Sequence, residues 1–243
     1  MKVFLMLGQS NMAGRGDPRE IAPLSAKHTF VLRNGKWQPM TEPINFDRPI
    51  CFEGKMGTNS GIGPAASFAR AFADFYGEDI GLVPCAEGGS SLDDWAPGGQ
   101  LFLNACYQAK LAENVGELTG ILWHQGEAEC TDKEKAGTYA RRFLHIMSEL
   151  NKSLGTDLDI VVGELGEFFK RHPGKPQYVD MVNHALHTLA EEHDNIAIAS
   201  SEGLADRGDL LHFSAEAQRE FGRRYFEAYR EMIEKRKTEG GAV

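Results

Sequence analysis

The sequence predicts an α/β fold in which a parallel sheet of about five strands is covered by helices on both faces. Short apolar runs alternate with longer segments of helical periodicity along the chain. The apolar runs are continuous, which is typical of parallel strands buried on both faces. No internal repeat, low-complexity segment or linker interrupts the 243 residues. We therefore expect one domain spanning residues 1–243.

The predicted strands are short apolar segments, each followed by polar or glycine-rich sequence. The first runs from Lys2 to Leu7 and stops at Gly8. The other four are expected at 79–86, 119–124, 158–164 and 195–200. Connections of this length between strands suit right-handed crossovers through helices.

The predicted helices lie between these strands. Pro64 suits the first position of a helix over 64–76, and Gly77 suits its end. Further helices are expected at 101–113, after a capping box at 131–134, around 178–189, and at 215–235 with Ser214 as the N-cap. The helix after the capping box carries an apolar stripe with a period near 3.6, formed by Tyr139, Phe143, Ile146, Met147 and Leu150. One segment, 15–63, holds five prolines and reads either as loops over a site or as a small elaboration.

Composition and charge exclude several classes of function. The net charge of −9 disfavours nucleic acid and membrane partners, because an acidic surface repels phosphate. No apolar run approaches the ~20 residues of a membrane span, and no signal peptide is evident, so we expect a cytoplasmic protein. The four cysteines have wide, irregular spacings without a C-x-x-C pair, and His184 and His187 have no clear third ligand nearby. We therefore expect free thiols, no metal and no cofactor.

Four polar or glycine-rich segments follow predicted strands: 8–14, 87–91, 125–127 and 209–212. In open α/β sheets, ligands bind beyond the carboxyl ends of the strands. These segments are therefore expected to meet at one edge of the sheet and to form an active site there.

The residue types in these segments suit ester hydrolysis. A serine hydroxyl is a weak nucleophile until a base takes its proton, and Ser10 with His212 supplies that pair. Backbone amides of Ser10 and Gly89, together with the side-chain amide of Gln125, could hold the oxyanion. A carboxylate is also required to orient the imidazole.

The same residues resemble the sequence blocks of SGNH hydrolases. Gly8-Gln9-Ser10-Asn11-Met12 resembles the nucleophile block of the sialate O-acetylesterase and acetylxylan esterase branch. The other three blocks of that branch have counterparts in the same order along the chain. The glycine block corresponds to Gly88–Ser90, the third block to His124–Glu127 and the D-x-x-H block to Asp209–His212. The similarity is closest to carbohydrate esterase family six. It implies a three-layer α/β/α sandwich of the flavodoxin-like kind and an acyl-enzyme mechanism without metal. It also implies removal of acetyl groups from xylan-type sugars.

The third member of the triad has two candidates. The general SGNH pattern assigns Asp209, whose position three residues before His212 lets it reach Nδ1 of that histidine. Glu127 in the third block is the alternative, and it lies on a different strand end. We favour Asp209, which would leave Glu127 to position a water, a donor or the substrate.

The substrate is expected to be an acetylated small molecule or oligosaccharide, such as an acetylated xylo-oligosaccharide. Asn11 and Trp95 are the candidate substrate contacts. The Trp95 ring could stack on a sugar, or it could equally pack its own loop. Two alternatives stay open: an esterase or thioesterase for other acyl groups, and a non-catalytic sugar-binding module on the same fold.

Overall fold

The computed structural model describes residues 1–45 and 60–240. Within these residues the core is a seven-stranded sheet of order β3-β2-β4-β1-β5-β6-β7. The strands are β1 (Lys2–Gly8), β2 (Thr29–Arg33), β3 (Lys36–Pro39), β4 (Ile80–Pro84), β5 (Glu117–His124), β6 (Asp159–Gly163) and β7 (Ile196–Ala199). All neighbours pair in parallel except β2 and β3. The predicted α/β class is confirmed, with seven strands in place of about five.

Strand β1 lies at the centre of the sheet because its residues are apolar on both faces. Val3 through Leu7 are at most 1% exposed. The strand pairs with β4 from Lys2 opposite Ile80, and with β5 up to Gly8 opposite His124. The end of β1 therefore lies beside the end of β5, inside the sheet.

The two additional strands form a hairpin within the segment 15–63. Asn34 and Gly35 connect β2 to β3 with φ values of 50° and 70°. An Asn-Gly pair with positive φ at both positions is the preferred two-residue hairpin turn. A small elaboration is one of the two interpretations of 15–63 given above, and the hairpin agrees with it, although neither strand is among those predicted. Residues 46–59 of that segment, which include Pro49 and Cys51, lie outside the described residues.

Helices cover both faces of the sheet. They are α1 (Ser10–Ala13), α2 (Ala65–Tyr76), α3 (Gln100–Glu113), α4 (Lys133–Gly137), α5 (Tyr139–Leu154), α6 (Val179–Glu192) and α7 (Ala215–Gly240), with a 3₁₀ turn at Glu167–Arg171. On one face, Phe4 of β1 contacts Phe68 of α2 and Tyr229 of α7 at ring distances of 5.0 and 5.3 Å. On the other, Trp123 of β5 contacts Phe143 of α5 at 5.5 Å. The expected three layers are therefore present.

Two details of the helices differ from the prediction. Asp132 is the N-cap of α4, and its side chain accepts the amide N–H groups of Glu134 and Lys135, so the helix begins one residue later than a Thr131 cap implies. The apolar stripe lies on α5, a separate helix after α4, and its five residues are buried as expected.

Cys85, Cys106 and Cys130 are free and buried. Within the described part of the chain, no helix is both long and apolar enough to cross a bilayer.

Candidate active site

Three of the predicted segments are joined directly at the carboxyl ends of β1, β4 and β5. The amide of Gln9 donates to His124 O at 2.8 Å, and the amide of Glu87 donates to Gly8 O at 3.0 Å. The fourth segment, 209–212, reaches the same place from the connection between β7 and α7 through the His212 side chain. Residues that are up to 202 positions apart in the chain therefore come into contact at this edge of the sheet.

The turn that presents Ser10 depends on Gly8. This residue has a φ of 120°, and a Cβ atom there would lie 2.2 Å from His124 O. Only glycine fits such a close approach and such a dihedral angle. The chain therefore leaves the sheet sharply and enters the single turn of α1 at Ser10.

Ser10, His212 and Asp209 form a hydrogen-bonded chain. His212 Nε2 lies 3.0 Å from Ser10 Oγ, and His212 Nδ1 lies 2.7 Å from Asp209 Oδ2. The second oxygen of Asp209 accepts the amides of Leu211 and His212 at 3.0 and 2.8 Å. A carboxylate on Nδ1 keeps the hydrogen of a neutral imidazole there and leaves Nε2 free to accept the serine proton.

The electrostatics favour a neutral histidine beside an ionised aspartate. Burial lowers the pKa of His212 below its usual 6.5, and the bond and charge of Asp209 offset this effect only in part. Burial would raise the pKa of Asp209, but the amides of Leu211 and His212 and the imidazole outweigh it and lower that pKa. The His212 imidazole is therefore neutral near neutral pH.

Glu127 occupies a different position. Its Oε1 accepts a hydrogen bond of 2.7 Å from Asn11 Nδ2 and lies 3.4 Å from His124 Nε2. Burial acts to raise the pKa of Glu127, but the contact with His124 and the Asn11 amide lower it by more, so the net shift is downward. The carboxylate on the His212 ring is that of Asp209.

Asn11 is buried, which corrects its assignment as a substrate contact. Besides Glu127, its Nδ2 donates to Leu211 O at 3.2 Å. Its Oδ1 accepts the amide of Phe213 at 3.2 Å. The side chain is 2% exposed and its polar atoms are bonded to protein groups, so it holds the segment around His212.

The glycine segment lies against Ser10. A Cβ atom at Gly88 would lie 3.8 Å from Ser10 Cβ and 2.3 Å from Arg15 Nη2. Gly89 has a φ of 76°, a left-handed conformation that a side chain would strain. These glycines bring the backbone between β4 and α3 next to Ser10.

The amide of Gln125 is turned to other acceptors, which corrects its assignment to the oxyanion hole. Its Nε2 donates to Ser90 O at 3.3 Å and also to the Glu129 carboxylate. The side chain is fully buried, and two acceptors use both of its N–H groups. Gln125 therefore supports the glycine segment from within the protein.

Trp95 packs its loop and does not face a substrate. The side chain is 1% exposed, its Nε1 donates to Ser90 Oγ at 3.0 Å, and its ring contacts Trp123 at 5.5 Å. Of the two interpretations of Trp95, the structure supports packing, and stacking on a sugar is wrong.

Comparison with known proteins places this arrangement in a family. The family described as "Carbohydrate esterase, sialic acid-specific acetylesterase" matches residues 1–231. The chain belongs to this family. It is accordingly a carbohydrate esterase, a kind of carboxylic ester hydrolase, and the predicted family branch and enzyme class are confirmed.

Individual relatives of this carbohydrate esterase agree with that membership. A probable carbohydrate esterase from Arabidopsis thaliana is 29% identical over 247 residues, covering 94% of this chain and 90% of the relative. An X-ray structure from Arabidopsis thaliana aligns with a TM-score of 0.80 at 28% identity, over 94% of this chain and 97% of that one. A carbohydrate acetylesterase from Xanthomonas citri shares the fold, with a TM-score of 0.65 at 18% identity, over 95% of this chain and 56% of that one.

The esterase site contains two residues that the sequence analysis missed. Glu129 accepts the amide of Leu92 at 2.7 Å as well as the Gln125 amide, and burial raises its pKa. Arg15 lies against Gly88, and its charge contributes to the lowered pKa of His212. Glu129 lies four residues beyond Gln125, and Arg15 directly follows the segment 8–14, so proximity in sequence was the available signal.

Proposed function

We propose that the protein is a serine O-acetylesterase acting on carbohydrates through an acyl-enzyme. Ser10 is the nucleophile, His212 the general base and Asp209 the acid that orients it. The observation that carries this proposal is the continuous chain from Asp209 through His212 to Ser10, with contacts of 2.7 and 3.0 Å. Nucleophile, base and orienting group within hydrogen-bond reach are the geometric signature of this mechanism.

In the first half-reaction, Ser10 Oγ attacks the acetyl carbonyl while His212 Nε2 takes its proton. The tetrahedral intermediate collapses as the imidazolium donates that proton to the departing sugar hydroxyl. Water then attacks the acetyl-Ser10 ester, with His212 again acting as base, and acetate and the free serine are released. Asp209 stabilises the imidazolium in both steps and does not itself take up the proton.

The backbone amides of Ser10 and Gly89 are proposed as the oxyanion donors. Both residues belong to segments that meet at the nucleophile, and the close approach of Gly88 to Ser10 supports this role for its neighbour. Backbone donors are fixed by the fold before the reaction, so they need no reorganisation as charge develops.

A short acyl group on a sugar is the proposed substrate. Ser10 is only 6% exposed, which favours a small acyl group over a long chain. Acetylated xylo-oligosaccharides are the first candidates, and acetylated sialic acids enter the same test because the family description names them. The cytoplasmic location expected from the sequence stays a prediction.

The deciding experiment is acetate release from a chromogenic acetyl ester by the wild-type protein and by Ser10→Ala. We expect turnover in the wild type and loss of turnover in the variant, with an acetyl adduct of Ser10 trapped by rapid acid quench and seen by mass spectrometry. Turnover that survives Ser10→Ala would overturn the mechanism. A wild type that binds acetylated sugars without turnover would favour the binding-module alternative.

Substrate range is tested separately. Esters of increasing acyl length compare acetylesterase activity with activity on other acyl groups. Acetylated xylo-oligosaccharides, acetylated polymer and acetylated sialic acid then compare the leaving groups. Higher kcat/KM for longer acyl chains than for acetyl would contradict the proposed acetyl specificity.

A further inference from the structure

A buried cluster outside the triad joins α7, β5, α1 and the connection after β5. It consists of Tyr225 on α7, His124 at the end of β5, Glu127 after β5, and Asn11 on α1. We call these four residues the buried cluster. Hydrogen bonds join the Tyr225 hydroxyl to His124 and Glu127 to Asn11, and a 3.4 Å contact between His124 Nε2 and Glu127 Oε1 lies between them. Asn11 in turn contacts the segment that carries His212.

Hydrogen-bond donors and acceptors determine the protonation of His124 in this cluster. The Tyr225 hydroxyl has one hydrogen, which it donates to Trp123 O at 2.9 Å. His124 Nδ1, 3.2 Å from the same hydroxyl, must therefore carry a hydrogen and donate it to Tyr225. The other ring nitrogen, Nε2, lies 3.4 Å from Glu127 Oε1. Two lone pairs facing each other in a buried place would repel, so a hydrogen lies between Nε2 and Oε1 as well.

That second hydrogen belongs to the histidine when the glutamate is ionised. Glu127 Oε1 already accepts the Asn11 amide at 2.7 Å, as a carboxylate does. The lowered pKa of Glu127 agrees with an ionised group despite its burial. A buried carboxylate requires a paired charge, and within the described residues around it His124 is the group in position to supply one.

The packing around His124 is shaped for this contact. A Cβ atom at Gly163 would lie 2.1 Å from the Tyr225 hydroxyl and 2.6 Å from His124 Nδ1, so only glycine there leaves room for the pair. The imidazole also packs edge-to-face against Phe213 and Phe221, at ring distances of 5.8 and 5.4 Å. The ring is therefore fixed in orientation by contacts on several sides.

We propose that His124 is a buried imidazolium paired with the Glu127 carboxylate, and that this ion pair positions His212. Asn11 transmits the position, because it binds Leu211 O and the Phe213 amide on either side of His212. His124 contributes directly by packing against Phe213. Glu127, His124 and Asn11 are thus positioning residues. The inference rests on the proposed function, because it gives the cluster a task in holding the catalytic base.

The first test measures the charge of His124 by ¹⁵N NMR of histidine-labelled protein. We expect both ring nitrogens of His124 to be protonated in the folded wild-type protein. In Glu127→Gln, the new side-chain amide can donate to Nε2, so we expect Nε2 to lose its hydrogen and Nδ1 to keep its own. An unprotonated Nδ1 or a neutral ring in the wild type would overturn the ion pair.

The second test separates positioning from general stability. A displacement of about 1 Å in a catalytic group can cost about 10²-fold in rate, so we expect kcat of Glu127→Gln to fall about 10- to 100-fold. KM should change less than about twofold, because the cluster does not touch substrate. Asn11→Ala should lower kcat similarly. Glu164→Gln is the matched control, since Glu164 is also paired with a histidine, His187, beside the neighbouring strand β6.

The outcomes also distinguish this inference from the proposed function. Thermal unfolding confirms that each variant is folded, and the rate of Ser10 labelling by a fluorophosphonate gives a readout that is independent of the sugar substrate. The positioning role alone would be overturned if the wild type were active and Glu127→Gln had the same kcat. It would also be overturned if Glu127→Gln and Glu164→Gln lowered kcat equally. A wild type without turnover and without Ser10 labelling would overturn the proposed function, and the positioning role with it.

Discussion

Asp209 and Glu127 both lie within the reach of a histidine, but their surroundings give them different tasks. Asp209 is partly exposed, and its charge is stabilised by two amides of its own turn. Glu127 is buried and relies on His124 and Asn11. A carboxylate stabilised by its own turn can face a histidine that changes charge during the reaction. One that depends on a buried cation is better suited to holding structure.

The proposed role of Asp209 leads to a direct test at this scale. Asp209→Asn replaces the carboxylate with an amide that can stabilise the wrong tautomer of His212. By analogy with other serine triads, we expect kcat to fall by about 10⁴-fold. Steady-state kinetics on an acetyl ester would measure this. Asp79→Asn is the control, because Asp79 makes a similar 2.7 Å contact with His28 at the surface, and it should leave kcat unchanged.

The pH dependence of the reaction follows from the lowered pKa of His212. The base works only when neutral, so kcat/KM should fall as pH drops through that pKa. Because the pKa lies below the usual 6.5, activity should persist at pH values where a typical histidine is already protonated. A pH profile of kcat/KM with an acid midpoint above 6.5 would contradict this expectation.

Residue identities along the chain were sufficient to single out Ser10, Asp209 and His212 for one site, because their blocks and order are specific. Burial was not predictable in the same way. Asn11 and Trp95 stand beside site segments in sequence, yet both are buried and bonded to protein groups. A polar side chain next to a nucleophile looks the same in sequence whether it faces a substrate or supports the turn behind it.

At the scale of elements, continuous apolar runs identified β1, β4, β5, β6 and β7, because most residues of these strands are buried. The hairpin of β2 and β3 lies at the sheet edge, and β3 is largely exposed, so its residues lack an apolar run. Its signal was the turn itself, Asn34-Gly35. An exposed edge strand such as β3 is therefore better identified from turn chemistry than from hydrophobicity, whereas β7, the edge strand on the opposite side, is mostly buried and was identified from its apolar run.

This hairpin provides a test of backbone strain. Gly35 has a φ of 70° and no atom within 4 Å of the place where a Cβ would lie, so the cost of Gly35→Ala is purely conformational. We expect the free energy of unfolding to fall by about 1–2 kcal/mol, measured by urea denaturation. Asn34→Gly, at the preceding positive φ, should change it by less than about 1 kcal/mol. Equal effects of the two substitutions would contradict the assigned turn.

At the scale of the whole molecule, the segment before α2 is tied to the last helix. Glu42 forms an almost fully buried ion pair with Arg219 of α7, and it also accepts the amide of Leu24 at 2.7 Å. Nearby, Arg207 donates to Arg15 O. These contacts connect the early part of the chain with the segment that carries His212.

Breaking the buried pair should destabilise the protein strongly. Glu42→Gln leaves the Arg219 cation without its partner, and we expect a loss of about 3–5 kcal/mol in the free energy of unfolding. Glu149→Gln, which breaks an exposed pair with Lys152, should leave the free energy of unfolding almost unchanged, because water screens such a pair. A double-mutant cycle with Arg219→Met would show whether the two residues act as a pair.

The general architecture was predictable because parallel strands must be covered on both faces, and because their carboxyl ends share one edge. The order of the strands was not. Strand β1 lies between β4 and β5, an arrangement determined by packing between residues far apart in the chain. The site could still be predicted, because convergence at one edge does not depend on strand order.

The separation of Ser10 and His212 by 202 positions has a consequence during protein synthesis. Synthesis runs from the amino end of a chain, so the proposed nucleophile leaves the ribosome 202 residues before its base. Under the proposed mechanism, a nascent chain has a serine but no base, and it stays inert toward the cell's esters. Esterase activity appears only when the connection after β7 carries His212 to a turn that was translated 202 residues earlier.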